Sequence, residues 1–105
     1  MKGYGVLLYV MGRQVGLIDV RGKELTGLYE LMRAGDDNYY IVYKQGKMGV
    51  IDGSGKLVLP LKYDRIKVTP VFNSFLRNVF VDNLCEVEVG GKTGYVSKEG
   101  VEYFE

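Results

Sequence analysis

A short pattern occurs three times in this chain, and it constrains the fold more than any other feature. The clearest copy is Gly46-Lys47-Met48-Gly49-Val50-Ile51-Asp52-Gly53-Ser54-Gly55-Lys56, and weaker copies span residues 13–23 and 91–100. Each copy is too short to bury an apolar face alone, so the copies must pair or stack around a shared core. At 105 residues the chain has the length of one domain. We divide it into repeat one (4–32), repeat two (39–67), an insertion (68–83) and repeat three (84–105).

Each repeat is predicted to be a three-stranded antiparallel meander. Its first strand is rich in β-branched and aromatic residues, and a two-residue turn that contains Gly joins it to the second strand, as tight hairpins require. In this register Tyr9 lies opposite Gly16, Val42 opposite Gly49 and Val87 opposite Gly94. The predicted first strands are Val6–Met11, Tyr39–Lys44 and Leu84–Val89, the second Val15–Asp19, Met48–Asp52 and Thr93–Ser97, and the third Glu24–Leu25, Leu57–Leu59 and Val101–Phe104.

Glycine marks two kinds of position in every copy. Gly16, Gly49 and Gly94 fall inside strands, where Gly indicates close approach by another group. The second turns begin with Asp or Ser, whose oxygen accepts a nearby backbone N–H, and carry Gly three residues later in a left-handed conformation. Pro60 is predicted to end its strand, because proline cannot donate a ladder hydrogen bond.

The fold class follows from these elements. The sequence predicts an all-β antiparallel meander curled into an open or partly closed barrel, because apolar residues point to both faces of the strands. The exception is the apolar insertion, where Phe72, Phe75, Leu76, Val79 and Phe80 fall at helical spacing. A short helix or ordered loop is therefore expected near residues 71–80. It is either a lid over the curled sheet or an exposed docking patch.

The repeat resembles the WG (KWG) β-repeat family. That family's unit reads roughly Gly-Lys-Trp-Gly-x-Ile-Asp, a turn, Gly-Lys, an aliphatic pair, Pro and Tyr-Asp, and the middle copy follows it from Gly46 to Tyr63-Asp64. The signature Trp is replaced by Val15, Met48 and Thr93. The resemblance implies a bacterial β-hairpin repeat that mediates interactions, and it brings no catalytic residues.

Several kinds of chemistry find no support in the composition. The chain has no His, which removes the commonest general base and metal ligand, and Cys85 is its single Cys. Gly53-Ser54-Gly55-Lys56 lacks the flanking residues of a phosphate-binding loop, and Asp36-Asp37 has the setting of a solvated turn. We therefore predict a protein that is not an enzyme and uses no cofactor or metal. The lone Cys and the short apolar run Val6–Met11 favour a cytoplasmic protein without a membrane segment.

Two functions remain open. The first is a protein–protein interaction module that docks a partner, or a second copy of itself, through Phe72, Phe75, Leu76, Val79 and Phe80. The alternative is a small nucleic-acid-binding protein, because basic residues lie near tyrosines in the middle segment, although the net charge is only +1. Its candidate residues are Lys47, Lys56, Lys62, Arg65, Lys67, Tyr43 and Tyr63.

Overall fold

The computed structural model describes residues 6–70 and 75–104, and this part of the chain is all-β and antiparallel. It forms two four-stranded and two two-stranded sheets without closing into a barrel. The strands are β1 (Val6–Met11), β2 (Gln14–Asp19), β3 (Leu31–Ala34), β4 (Tyr39–Lys44), β5 (Lys47–Asp52), β6 (Leu57–Tyr63), β7 (Arg65–Ile66), β8 (Thr69–Pro70), β9 (Arg77–Asn78), β10 (Leu84–Val89), β11 (Lys92–Ser97) and β12 (Glu102–Phe104). The four-stranded sheets have the orders β3-β4-β5-β6 and β12-β11-β10-β7.

Three hairpins, β1–β2, β4–β5 and β10–β11, share one register. Tyr9 pairs with Gly16, Val42 with Gly49 and Val87 with Gly94, which confirms the predicted pairing. In the second and third hairpins both turn residues have positive φ, including Gln45 at 55°. Such turns match the twist of the strands they join, and this match sets the register.

The turns that follow the hairpins also have one common geometry. Asp19, Asp52 and Ser97 each accept a backbone hydrogen bond from the Gly three residues later, at 2.9–3.0 Å. The side-chain oxygen of each also accepts two backbone N–H groups, from the residues two and four positions later. The Gly residues have φ of 85°, 91° and 88°, so the predicted left-handed position is confirmed.

Two linking strands, which the sequence did not predict, join one hairpin to the next. Strand β3 pairs with β4, and β7 pairs with β10. At the start of each, an acidic residue bonds twice to the following hairpin. The N–H groups of Glu30 and Asp64 donate to Tyr43 O and Glu88 O, at 2.9 and 2.8 Å. Their carboxylates accept the first turn N–H, from Gln45 at 3.1 Å and from Gly90 at 2.8 Å.

The apolar core consists of two clusters that correspond position by position. In the first, Leu17, Val42 and Ile51 are buried, and Leu25, Tyr29 and Met32 pack against them. The register maps these six onto Val50, Val87, Val96, Leu59, Tyr63 and Ile66 of the larger cluster. Each cluster therefore joins one hairpin, with the segment that follows it, to the next hairpin.

Two predicted third strands differ from the observed structure. Strand β6 does not end at Pro60 but continues to Tyr63, because register shifts in its pairing with β5 leave Pro60 outside the ladder. In the first repeat, only an isolated bridge between Ile18 and Glu24 stands where a strand was expected. Proline within a bulged strand removes no ladder bond, which explains why the sequence rule failed here.

Of the two alternatives expected near residues 71–80, a short helix or an ordered loop, the helix does not form in residues 75–80. Arg77–Asn78 is strand β9, and it pairs with β8 so that the insertion forms a small hairpin. The helical spacing does not indicate a common apolar face here, because Val79 and Phe80 are buried whereas Phe75 and Leu76 are exposed. Residues 71–74, including Phe72, lie outside the described residues.

The strand glycines are close to the backbone of the segment that follows each hairpin. A Cβ on Gly49 would lie 2.7 Å from Leu59 O and 3.0 Å from Pro60 O, and one on Gly94 would lie 2.6 Å from Tyr103 O. This confirms the close approach that their recurrence predicted.

We expect Gly49→Val to destabilise the protein by about 1–3 kcal/mol, because the side chain would meet backbone atoms that cannot rotate away. A thermal or urea melt measures the change. Thr93→Val is the control for adding a β-branched apolar residue to a strand. Thr93 is exposed and precedes Gly94, which occupies the position of Gly49 in the third hairpin. A Gly49→Val protein as stable as the parent would contradict this account of the glycine.

Candidate docking surface

The insertion does not present its apolar residues as one patch. Val79 and Phe80 are buried in the larger core cluster, whereas Phe75 is fully exposed. Leu76 is about half exposed, and Phe72 lies outside the described residues. The described part of the insertion therefore divides in two, because residues 75–76 are exposed and residues 79–80 are buried.

Asp36 and Asp37 attach the insertion to the rest of the fold. Asp36 accepts a hydrogen bond from Arg77 N at 2.7 Å, and Asp37 accepts from Val79 N and Phe80 N at 3.1 and 2.9 Å. These carboxylates are therefore not merely solvated, as sequence reasoning held. Two adjacent acidic residues in a loop can accept hydrogen bonds from the N–H groups of a distant segment. The residues around them in the sequence do not indicate which segment that is.

The basic residues proposed for nucleic-acid binding are dispersed. Lys47 pairs with Asp64 at 2.5 Å, Lys62 with Glu102 at 2.6 Å and Lys67 with Glu86 at 3.3 Å. Lys56 and Arg65 are exposed. Tyr63 is buried and donates its hydroxyl hydrogen to Glu102 at 2.6 Å, so its ring offers no stacking face. Burial raises the pKa of the Tyr63 phenol above its ordinary value. Tyr43 is half-buried and lies beside a small cavity.

Two of these basic residues help to line a cationic cleft. The cleft has a volume of about 380 Å³ and adjoins an apolar cavity of about 270 Å³ that shares three of its lining residues. Four cationic side chains can together attract an anionic group, and the apolar cavity can hold an attached carbon skeleton. The cleft is lined by Arg33, Met48, Arg65, Ile66, Lys67, Val68 and Arg77.

The remaining candidate groups are the single cysteine and possible metal ligands. Cys85 is buried, and burial raises the pKa of its thiol to about 12, which keeps it protonated. Within residues 6–70 and 75–104, no three His, Cys, Asp or Glu side chains converge as metal ligands. No helix in this part of the chain is long and apolar enough to cross a bilayer.

The first hairpin carries the most continuous exposed apolar surface on a strand. Four of the six residues of β1 are large, apolar and exposed, and we call them the first-hairpin surface. They are Leu7 (52%), Leu8 (53%), Val10 (72%) and Met11 (61%). Sequence reasoning identified this run only as a strand, and no single-sequence signal marked it as uncovered.

Two positions of β1, Leu7 and Tyr9, have equivalents that are covered in the other hairpins. The register places Leu7 at the position of Tyr40 and Cys85, and Tyr9 at the position of Val42 and Val87. Cys85, Val42 and Val87 are fully buried, Tyr40 packs against a core cluster, and Tyr9 is half-buried. The burial comes from the preceding segment of the chain, which the first hairpin lacks among the described residues.

The outer edge of β1 is also open. In an antiparallel hairpin, alternate residues direct N–H and C=O away from the partner strand. Val15 faces outward from β2, since it exchanges two 2.8 Å hydrogen bonds with Tyr29. Its partner Val10, and therefore Leu8, face outward from β1. No strand in the described part of the chain pairs with this edge, whereas β3 and β7 occupy the same edge of the other hairpins.

A scan against protein-family models gives no match, and searches of curated proteins and of solved structures likewise return none. The resemblance to the WG repeat therefore depends on the motif residues alone.

Proposed function

We propose that the protein is a protein–protein interaction module built from three WG-like β-hairpin units, and that it docks an extended segment of a partner along β1. The observation that carries this proposal is the open outer edge of β1. The equivalent edges, on β4 and β10, are each covered by a linking strand.

The matched registers and turns support the interpretation of the hairpins as copies of one unit. A unit of this size buries its apolar face only against a neighbouring unit. The first hairpin has no unit before it among the described residues, and its strand β1 exposes Leu7, Leu8, Val10 and Met11. An exposed apolar edge strand either aggregates or is covered by a partner strand.

The insertion is a weaker candidate for the docking surface than the sequence predicts. Its two buried residues, Val79 and Phe80, serve the core, and only Phe75 and Leu76 of the described candidates face outward. Two exposed side chains offer little area for docking compared with a whole strand edge.

A display library of random peptides, panned against the full chain, tests the proposal. We expect the enriched peptides to lose binding to Val10→Pro and to keep binding to Val10→Thr. The Pro variant removes an outward N–H without removing a hairpin hydrogen bond, whereas the Thr control keeps that N–H. Peptides that bind Val10→Pro as well as the parent, or no enrichment at all, would contradict docking along β1.

The cationic cleft favours a second candidate function, the binding of a phosphate-bearing ligand such as single-stranded nucleic acid. Three of its cations, Arg33, Arg65 and Arg77, form no ion pair with the described residues. Affinity for an oligonucleotide should fall steeply as salt rises, and Arg33→Gln with Arg65→Gln should reduce that slope. Binding without such a salt dependence would exclude this function, and Lys56→Gln, away from the cleft, is the control.

A further inference from the structure

We infer that the segment docked on β1 carries an acidic residue followed two positions later by an aliphatic one. The inference rests on the proposed function, because it names the occupant of the first-hairpin surface. It comes from the two equivalent edges inside this chain, whose occupants have this pattern. They are Tyr29-Glu30-Leu31-Met32 and Tyr63-Asp64-Arg65-Ile66.

The acidic residue binds to the hairpin turn. Glu30 Oε2 lies 3.1 Å from Gln45 N, and Asp64 Oδ2 lies 2.8 Å from Gly90 N. The register places Gly12 N at the same point of the first hairpin. Its N–H donates to no carboxylate of the described residues, so an acid in the docked segment would supply the missing acceptor.

The aliphatic residue packs on the apolar face of the strand. Met32 lies opposite Val42 and Ile66 opposite Val87, and both pairs belong to the core clusters. In the first hairpin this position is Tyr9, which is half-buried. An aliphatic side chain two residues beyond the acid would point to the same face and cover the Tyr9 ring.

Charge favours the same occupant. The turn of the first hairpin is Gly12-Arg13, whereas the other two turns, Gln45-Gly46 and Gly90-Gly91, are uncharged. Arg13 is exposed and forms no ion pair with the described residues. A cation beside the free Gly12 N–H strengthens the preference for a carboxylate at this point.

The experiment uses a capped synthetic peptide with the sequence of residues 62–68, Lys-Tyr-Asp-Arg-Ile-Lys-Val, and the full chain as receptor. We expect saturable binding by titration calorimetry and a downfield shift of the Gly12 amide proton by NMR. The peptide in which Ala replaces Asp should bind about tenfold more weakly, as expected for the loss of a charge-assisted hydrogen bond. Arg13→Gln should weaken binding of the Asp peptide more than binding of the Ala peptide, and Val10→Pro should abolish both.

Equal binding of the Asp and Ala peptides would overturn the acid preference and leave docking along β1 intact. Failure of both peptides, when library-selected peptides still bind the β1 edge, would overturn the whole pattern but not the proposed function. If no peptide binds this edge and the chain instead associates with itself through β1, the named occupant is wrong and a second copy takes its place. Absence of any association at β1 would overturn both proposals.

Discussion

Gly55→Ala should lower the free energy of unfolding by about 2–5 kcal/mol, although it adds only one methyl group. Gly55 has a φ of 91°, and left-handed backbone costs an L-residue about 1–2 kcal/mol. A Cβ at this position would also collide with the Leu25 carbonyl and lie 3.1 Å from Thr26 Cγ2. Overpacking of this kind adds roughly 1–3 kcal/mol. Urea denaturation followed by circular dichroism measures the difference.

Two controls separate the causes. Gly100 occupies the equivalent turn position with a φ of 88° and has no atom within 4 Å of a built Cβ, so Gly100→Ala reports the backbone strain alone. Ser54→Ala removes one exposed hydrogen bond to Asp52 and should change stability by no more than about 0.5 kcal/mol. If Gly55→Ala costs no more than Gly100→Ala, the contact between the second hairpin and residues 25–26 does not constrain the fold.

Phe80→Ala should destabilise the protein by about 3–5 kcal/mol, the range for truncating a buried phenylalanine. The Phe80 side chain is buried, and its ring lies edge-on to Tyr39 with centroids 4.9 Å apart. Truncation leaves a cavity between the insertion and the larger core cluster. A thermal melt with matched urea titration gives the loss.

Phe75→Ala is the matched control, because the same truncation at a fully exposed ring should change stability by no more than about 0.5 kcal/mol. The comparison also decides which part of the insertion is a lid. Similar large losses at both positions would mean that Phe75 packs against the core in solution, and similar small losses would mean that the insertion is detached.

The hairpins could be predicted from the sequence because their determinants are local. A two-residue turn with Gly fixes the pairing of its flanking strands, so Val42 falls opposite Gly49 once the turn is located. The same holds for Asp52 and Gly55, whose turn bonds join residues at most four positions apart. The WG-like motif begins in the turn between β4 and β5 and ends at Asp64, just before the linking strand β7, so it covers the hairpin turns but not the pairing of the linking strand.

The candidate site could not be predicted in the same way. Val10 and Tyr43 occupy equivalent positions on similar strands, yet within residues 6–70 and 75–104 only the second has a linking strand beside it. Phe75 and Phe80 are alike in sequence, yet one is exposed and the other buried. In both cases the outcome depends on which distant segment lies alongside, and periodicity within a short window carries no information about that.

The sequence by itself determined the all-β class, the three hairpins, their registers and their turns, because these depend on contacts between residues close along the chain. Only the tertiary structure decided that Glu30 and Asp64 join each hairpin to the next and that Asp36 and Asp37 hold the insertion. It also decided that none of the described strands covers the outer edge of β1. These features arise where segments far apart in sequence meet, since burial and edge pairing are set by the neighbour and not by the strand itself.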